Sequence, residues 1–120
     1  MSAPVLVTAA DVLRGALAEL RRPIDPLTGN GWQRGGYGTR DTCKCSAGAI
    51  YVAGGDSPRG TRGTPHNRVL AAFSVLAKVV GYPGASEGKI IHWNDQPGRT
   101  FPEVEAAFER AIELAEAGVR

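Results

Sequence analysis

The side chains with most chemical capability fall in two short stretches, CKCS at 43–46 and HWND at 92–95, with His66 between them. A thiol at the start of a helix can become nucleophilic, because the positive end of the helix dipole stabilises the thiolate. In that arrangement Cys45 is the nucleophile, His92 or His66 the base, and Asp95 or Asn94 the group that orients the base. The same residues also read as packing. Free cysteine is a small, mostly buried hydrophobe, and CKCSAGAI has a face of small residues suited to close helix contact. No local signature of a cysteine hydrolase accompanies them, so packing is the stronger reading. Two cysteines and two histidines are suitable zinc ligands, but C-x-C followed by histidines at 66 and 92 does not match the paired spacing of structural zinc sites. Neither a metal nor a cofactor is expected.

Anion binding is a further chemistry. A helix beginning near Lys44 would offer unpaired N–H groups between Arg40 and Lys44. Glycines in GNGWQRGGYG would let backbone approach a ligand closely. Trp32, Arg34, Tyr37, Arg40 and Lys44 are then the contacts, with Trp93, Asn94 and Asp95 shaping the opposite wall. GGYGTRD is not a P-loop, since it lacks the closing G-K-[ST] and a preceding strand. The plainer alternative is a glycine-rich loop with solvated arginines. Trp93-Asn94-Asp95 has two readings as well. It can line a pocket with one apolar wall and two polar arms. It can also pin a loop, with Trp93 in the core and the two polar residues making turns, and residue chemistry favours this.

Helices must position these groups. Thr8 caps a first helix, with Asp11 three residues on in a capping-box arrangement. Val12, Leu13, Ala16, Leu17 and Leu20 form its apolar face, and Pro23 stops it after Arg21 and Arg22. Residues 23–42 are a long loop in which Trp32 and Tyr37 are expected to fold back onto the core. A short second helix runs from Lys44 to Ala53, capped by Asp41 or Thr42 and ended by Gly54-Gly55. A polar Gly/Pro-rich loop fills 54–64. A third helix opens with Thr64 as cap and Pro65 at its first position, buries Val69, Leu70, Phe73, Leu76, Ala77 and Val80, and closes at Gly81-Tyr82-Pro83. KIIHW, Lys89 to Trp93, reads as a brief extended piece. Thr100 and Glu103 make a capping box for a last helix that buries Val104, Ala107, Phe108, Ala111, Ile112 and Ala115 up to Gly118. The expected fold is mainly α: one domain over residues 1–120, a small bundle of about four helices with two long Gly/Pro-rich loops and a short extended segment before the last helix.

The totals agree with a globular domain. The chain has 120 residues, 42% apolar and 22% charged, enough for one modest core. A net charge of +2 is too small to point to nucleic acid. The charge is uneven. Arg34, Arg40, Lys44, Arg59, Arg62 and Arg68 against Asp41 and Asp56 give residues 34–68 a net +4, while the last helix is acidic. No apolar run reaches the roughly 20 residues that would cross a bilayer, and the first residues do not resemble a secretion signal. Two cysteines one residue apart rarely pair with each other, so a reduced, cytoplasmic protein is expected.

In order along the chain, the landmarks are Gly31-Trp32, C-x-x-G-A at Cys45 to Ala49, Trp93-Asn94-Asp95, and Arg99-Thr100 opening the last helix. This order resembles the bacterial and actinophage proteins of domain-of-unknown-function family 6197, across nearly the whole chain. The resemblance implies an intracellular actinobacterial or phage protein, a virion component if phage-encoded, and supplies no activity. It also groups Cys45, Trp32 and Asn94-Asp95 as one cluster. The chain departs from the family pattern in Ser46, where alanine is usual, in the additional Cys43, and in the inserted SPRGTRGTPHN. The function expected from all this is a small non-enzymatic binding protein for a partner or a small anionic ligand. The alternatives are a cysteine-dependent hydrolase or transferase using Cys45, and a structural subunit of a larger assembly.

Overall fold

The structure is a computed structural model and describes residues 8–56, 67–85 and 87–119. Five helices order the described chain: α1 (Ala9–Arg21), α2 (Ser46–Gly54), α3 (Asn67–Val79), α4 (Glu87–Asn94) and α5 (Phe101–Glu116). Helix α1 packs against α2, α3 and α5, and α4 rests on α2 and α3. Among the described residues there is no strand, only an isolated parallel bridge between Trp32 and Lys44. No described helix is long and apolar enough to cross a membrane.

The first and last helices form where their caps and periodicity place them. Thr8 Oγ1 accepts the Asp11 N–H, and the Asp11 carboxylate accepts the Thr8 N–H, both at 3.1 Å. The inward stripe Val12, Leu13, Ala16, Leu17 and Leu20 is buried as its spacing requires. At α5 the Glu103 carboxylate reaches back to the Thr100 N–H at 2.9 Å and to its hydroxyl at 3.1 Å. Ion pairs from Arg14 to Glu116 and from Arg21 to Glu105 tie the outer surfaces of α1 and α5 together.

Three expectations are corrected, the first being that Leu70 is 37% exposed rather than part of the buried face of α3. Residues 89–93 are not extended but lie within α4, so the bundle has five helices rather than four. Two adjacent isoleucines and a tryptophan favour a strand locally, but Ile90 and Asn94 stand four residues apart, and as a helix both turn inward and are buried. The second helix starts at Ser46, not Lys44, and its cap is Cys45 rather than Asp41 or Thr42. Lys44 cannot be helical because its backbone is paired with the loop: its N–H donates to Gly31 O at 2.8 Å and its carbonyl accepts from Gln33 N at 2.9 Å. Thr42 closes a local turn instead, accepting the Thr39 N–H at 2.8 Å. The expected Thr64-Pro65 start of the third helix, most of the 54–64 loop and His66 lie outside the described residues.

Helix α2 sits at the centre. Ser46 through Tyr51 and Gly54 are all buried. Its small residues are a packing requirement. A Cβ on Gly54 would come within 2.2 Å of Val69 Cγ2 in α3, and one on Gly48 within 1.9 Å of the Tyr37 carbonyl oxygen. Only glycine lets the loop cross over α2 at that point.

Candidate functional site

The loop of residues 22–45 and helix α4 meet over the start of α2, and Asn94 is where they join. Its side chain is 0% exposed. One amide oxygen accepts from Trp32 Nε1 (2.7 Å), Ser46 N (2.9 Å) and Ser46 Oγ (2.6 Å). The amide nitrogen donates to Gln33 O (3.1 Å) and to Asp95 Oδ1 (2.9 Å). Every neighbour on the oxygen side is a donor and every neighbour on the nitrogen side an acceptor, so the amide has one satisfactory orientation. Asp95 Oδ1 also accepts the Gly35 N–H at 3.0 Å. Trp93 lies under the Arg99 guanidinium, 4.2 Å from its ring centre, and its carbonyl accepts from Arg99 Nε at 2.9 Å. WND therefore pins both the GW loop before it and the turn after it.

The groups expected to hold an anion are placed differently. Lys44 is 0% exposed, with Nζ donating to the carbonyls of Arg40 (3.0 Å) and Thr42 (2.7 Å) and paired with Glu19 at 3.2 Å. Burial raises the Glu19 carboxyl, but hydrogen bonds from Arg22 and Lys44 outweigh it and hold the group below its ordinary pKa. Lys44 is thus a buried cation whose counter-charge is the half-buried Glu19. The start of α2 is occupied as well: Ser46 N goes to Asn94, Gly48 N to Cys45 Sγ at 3.4 Å, and Ala49 N to Cys45 O at 3.0 Å. Arg40 is exposed, and the fold uses its carbonyl rather than its guanidinium. Arg34 is also exposed and donates to the Gln96 carbonyl at 3.3 Å.

Cys45 is 3% exposed. Burial pushes its thiol above the ordinary pKa, and the nearby Asp95 charge adds to that, against N–H groups of Gly48 and Ala47 that pull the other way. A raised pKa leaves the thiol protonated at neutral pH, the opposite of what a nucleophile needs. His92 is exposed on the outer side of α4, 2.9 Å from the Gln96 amide and edge-on to Tyr82. Cys43 is half-buried. Among the described residues no cluster of His, Cys, Asp and Glu could hold a metal ion.

Three of the nominated residues do converge. Tyr37, Cys45 and Asp95, with Gly35, Gly36 and Ile91, line a pocket of about 140 Å³ between the loop and α4. The Tyr37 hydroxyl donates to Glu87 at the start of α4, and the Tyr51 hydroxyl donates to the other oxygen of that carboxylate at 2.8 Å. Burial, and then the bond to Glu87, hold the Tyr51 phenol far above its ordinary pKa. Trp32, Trp93 and Asn94 stand behind this pocket as its supports, while His92 and Lys44 are not part of its lining. Ile91, Ser46 and Glu87 were missed because their roles depend on α4 being a helix laid across α2. The glycine pair 35–36, which lets backbone form one wall, was the available signal.

No curated protein and no solved structure matches the chain. The model of a family of unknown function, DUF6197, matches residues 4–114, a span that takes in the GW loop, the C-x-x-G-A helix start and the WND segment whose contacts build the site. The chain belongs to that family.

Proposed function

We propose that the protein is a small non-enzymatic binding protein whose recognition site is the pocket lined by Gly35, Gly36, Tyr37, Cys45, Ile91 and Asp95. The observation that carries this is the convergence of one aromatic, one thiol and one carboxylate around an opening that the Asn94 network holds in place. A site built on a saturated, buried hydrogen-bond network is already organised before a ligand arrives. Lys44 and the start of α2 are used internally, so the anionic form of the reading has little left to rest on. A cysteine-dependent reaction has less support than binding, because Cys45 is buried with a raised pKa and His92 is exposed and not part of the pocket lining. The free thiols agree with a reduced cytoplasm, and on this reading the protein acts inside an actinobacterial cell or as a phage product there. A subunit of a larger assembly is the second reading. Its support is Leu27, 94% exposed on a turn that Asp25 fixes through the Leu27 and Gly29 N–H groups.

The test is the native mass of protein purified from its own host against its denatured mass, for the wild type and for Ile91→Trp, which fills the pocket. The expected result is an added mass in the wild type, lost on denaturation and absent from the variant. A bare wild-type mass, or an added mass that the variant keeps, overturns the reading.

A further inference from the structure

We propose, resting on the pocket reading above, that the Cys45 pocket is a cation site: it takes the ammonium or guanidinium end of a small amine or side chain, with Asp95 as counter-charge. Asp95 differs from most carboxylates in this fold. Glu19, Asp11, Glu103 and Glu105 each have a basic partner in Lys44, Arg14, Arg99 and Arg21 respectively. Among the described residues no cation pairs with Asp95. Its Oδ1 accepts from two neutral donors, Gly35 N and Asn94 Nδ2, which fix its position without cancelling its charge. Arg34, the basic residue beside Gly35, donates instead to the Gln96 carbonyl at 3.3 Å.

The remaining walls bring no basic group to the pocket. The Gly36 carbonyl is used within the loop, accepting from Gln33 Nε2 at 2.9 Å and from Cys45 N at 3.2 Å, and the Gly35 N–H is given to Asp95, so the preference for a cation rests on the Asp95 carboxylate. Ile91 and a protonated thiol contribute low-polarity surface, where a fixed carboxylate attracts more strongly than in open water. An anion would meet the Asp95 charge with no lining basic group to answer it. At about 140 Å³ the pocket is well below the roughly 300–1,000 Å³ of drug-sized ligand sites, which suits the end of a side chain or a small amine.

The experiment follows the backbone amide signals of the whole isotope-labelled protein at constant ionic strength during titration with millimolar methylammonium, guanidinium, urea and acetate. Urea is the neutral near-isostere of guanidinium. The expected result is saturable movement of the Gly35, Gly36, Cys45 and Ile91 signals with a cation and none with urea or acetate. Asp95→Asn keeps an oxygen for Gly35 and Asn94 while removing the charge, and should weaken cation binding at least tenfold. Ile91→Trp, which leaves the carboxylate network intact, should abolish the shifts and serves if the Asn variant does not fold. A capped arginine binding more tightly than guanidinium assigns the cation to a partner's side chain; equal binding assigns it to a free small molecule. Urea or acetate moving the same signals, or unchanged binding in Asp95→Asn, overturns the cation class while leaving a working pocket. Silence with all four probes overturns the inference, and the own-host mass measurement then judges the pocket reading separately.

Discussion

Replacing Asn94 by Ala would leave Trp32 Nε1, Ser46 N and Ser46 Oγ without their shared acceptor and Gln33 O without its side-chain donor. Unsatisfied buried groups cost about 1–3 kcal/mol each, so Asn94→Ala should lose about 4 kcal/mol in chemical denaturation. Trp32→Phe removes only one of the three donors to Asn94 Oδ1, and about 1 kcal/mol is expected from that bond. The two cysteines should separate by labelling. Iodoacetamide should modify half-buried Cys43 first, with Cys45 at least about tenfold slower until the protein is unfolded, as a buried thiol with a raised pKa requires. Peptide mapping of each site against time checks this, and a faster Cys45 would return the nucleophile reading to consideration. At this scale the sequence was informative about which residues matter. It could not say that Lys44 is buried, because a lysine beside Arg40 looks solvated until the Glu19 carboxylate from α1 is seen beside it.

At the scale of elements, α2 and the loop crossing it are held close by one missing side chain. A methyl at Gly48 would sit 1.9 Å from Tyr37 O, so Gly48→Ala must push the loop off the helix. A cost of about 3 kcal/mol is expected from that overlap, together with loss of the pocket wall. A methyl at Gly88 in α4 would meet nothing within 4 Å, so Gly88→Ala should instead stabilise by about 0.5–1 kcal/mol through reduced freedom of the unfolded chain. Thermal melts of the two variants should therefore move in opposite directions. Caps and apolar period made α1 and α5 readable before folding was considered. The period failed for α4, an eight-residue helix whose stability comes from Ile90 and Asn94 entering a core supplied by other helices.

For the whole molecule, acid should act through contacts between elements. Glu19 of α1 holds Lys44 and Arg22, and its folded pKa lies below the ordinary 4.5. The unfolded chain therefore takes up this proton first. The stability from the contact is complete above about pH 4.5 and is lost as pH falls through the folded value. Asp11 and Glu103, on the surface at two helix starts, shift in the same direction. Stability measured from pH 6 to pH 3 should fall, and Glu19→Gln should flatten part of that fall. A slope unchanged by Glu19→Gln would remove Glu19 from the account.

The sequence by itself determined a mainly helical fold, the bounds of its first and last helices and the family to which it belongs. These are properties of local chemistry: hydroxyl-carboxylate caps, proline and glycine stops, and apolar residues recurring every three or four positions. Only the tertiary structure decided where α2 begins, that KIIHW is helical, and that Asn94 joins residues more than 45 positions away. The reason is physical. A backbone bridge from Lys44 to residues 31–33, an ion pair between the buried Lys44 and Glu19 of α1, and a pocket between a loop and a helix are all contacts between separate segments. They form only once separate segments share a core, and no short window of sequence contains both partners.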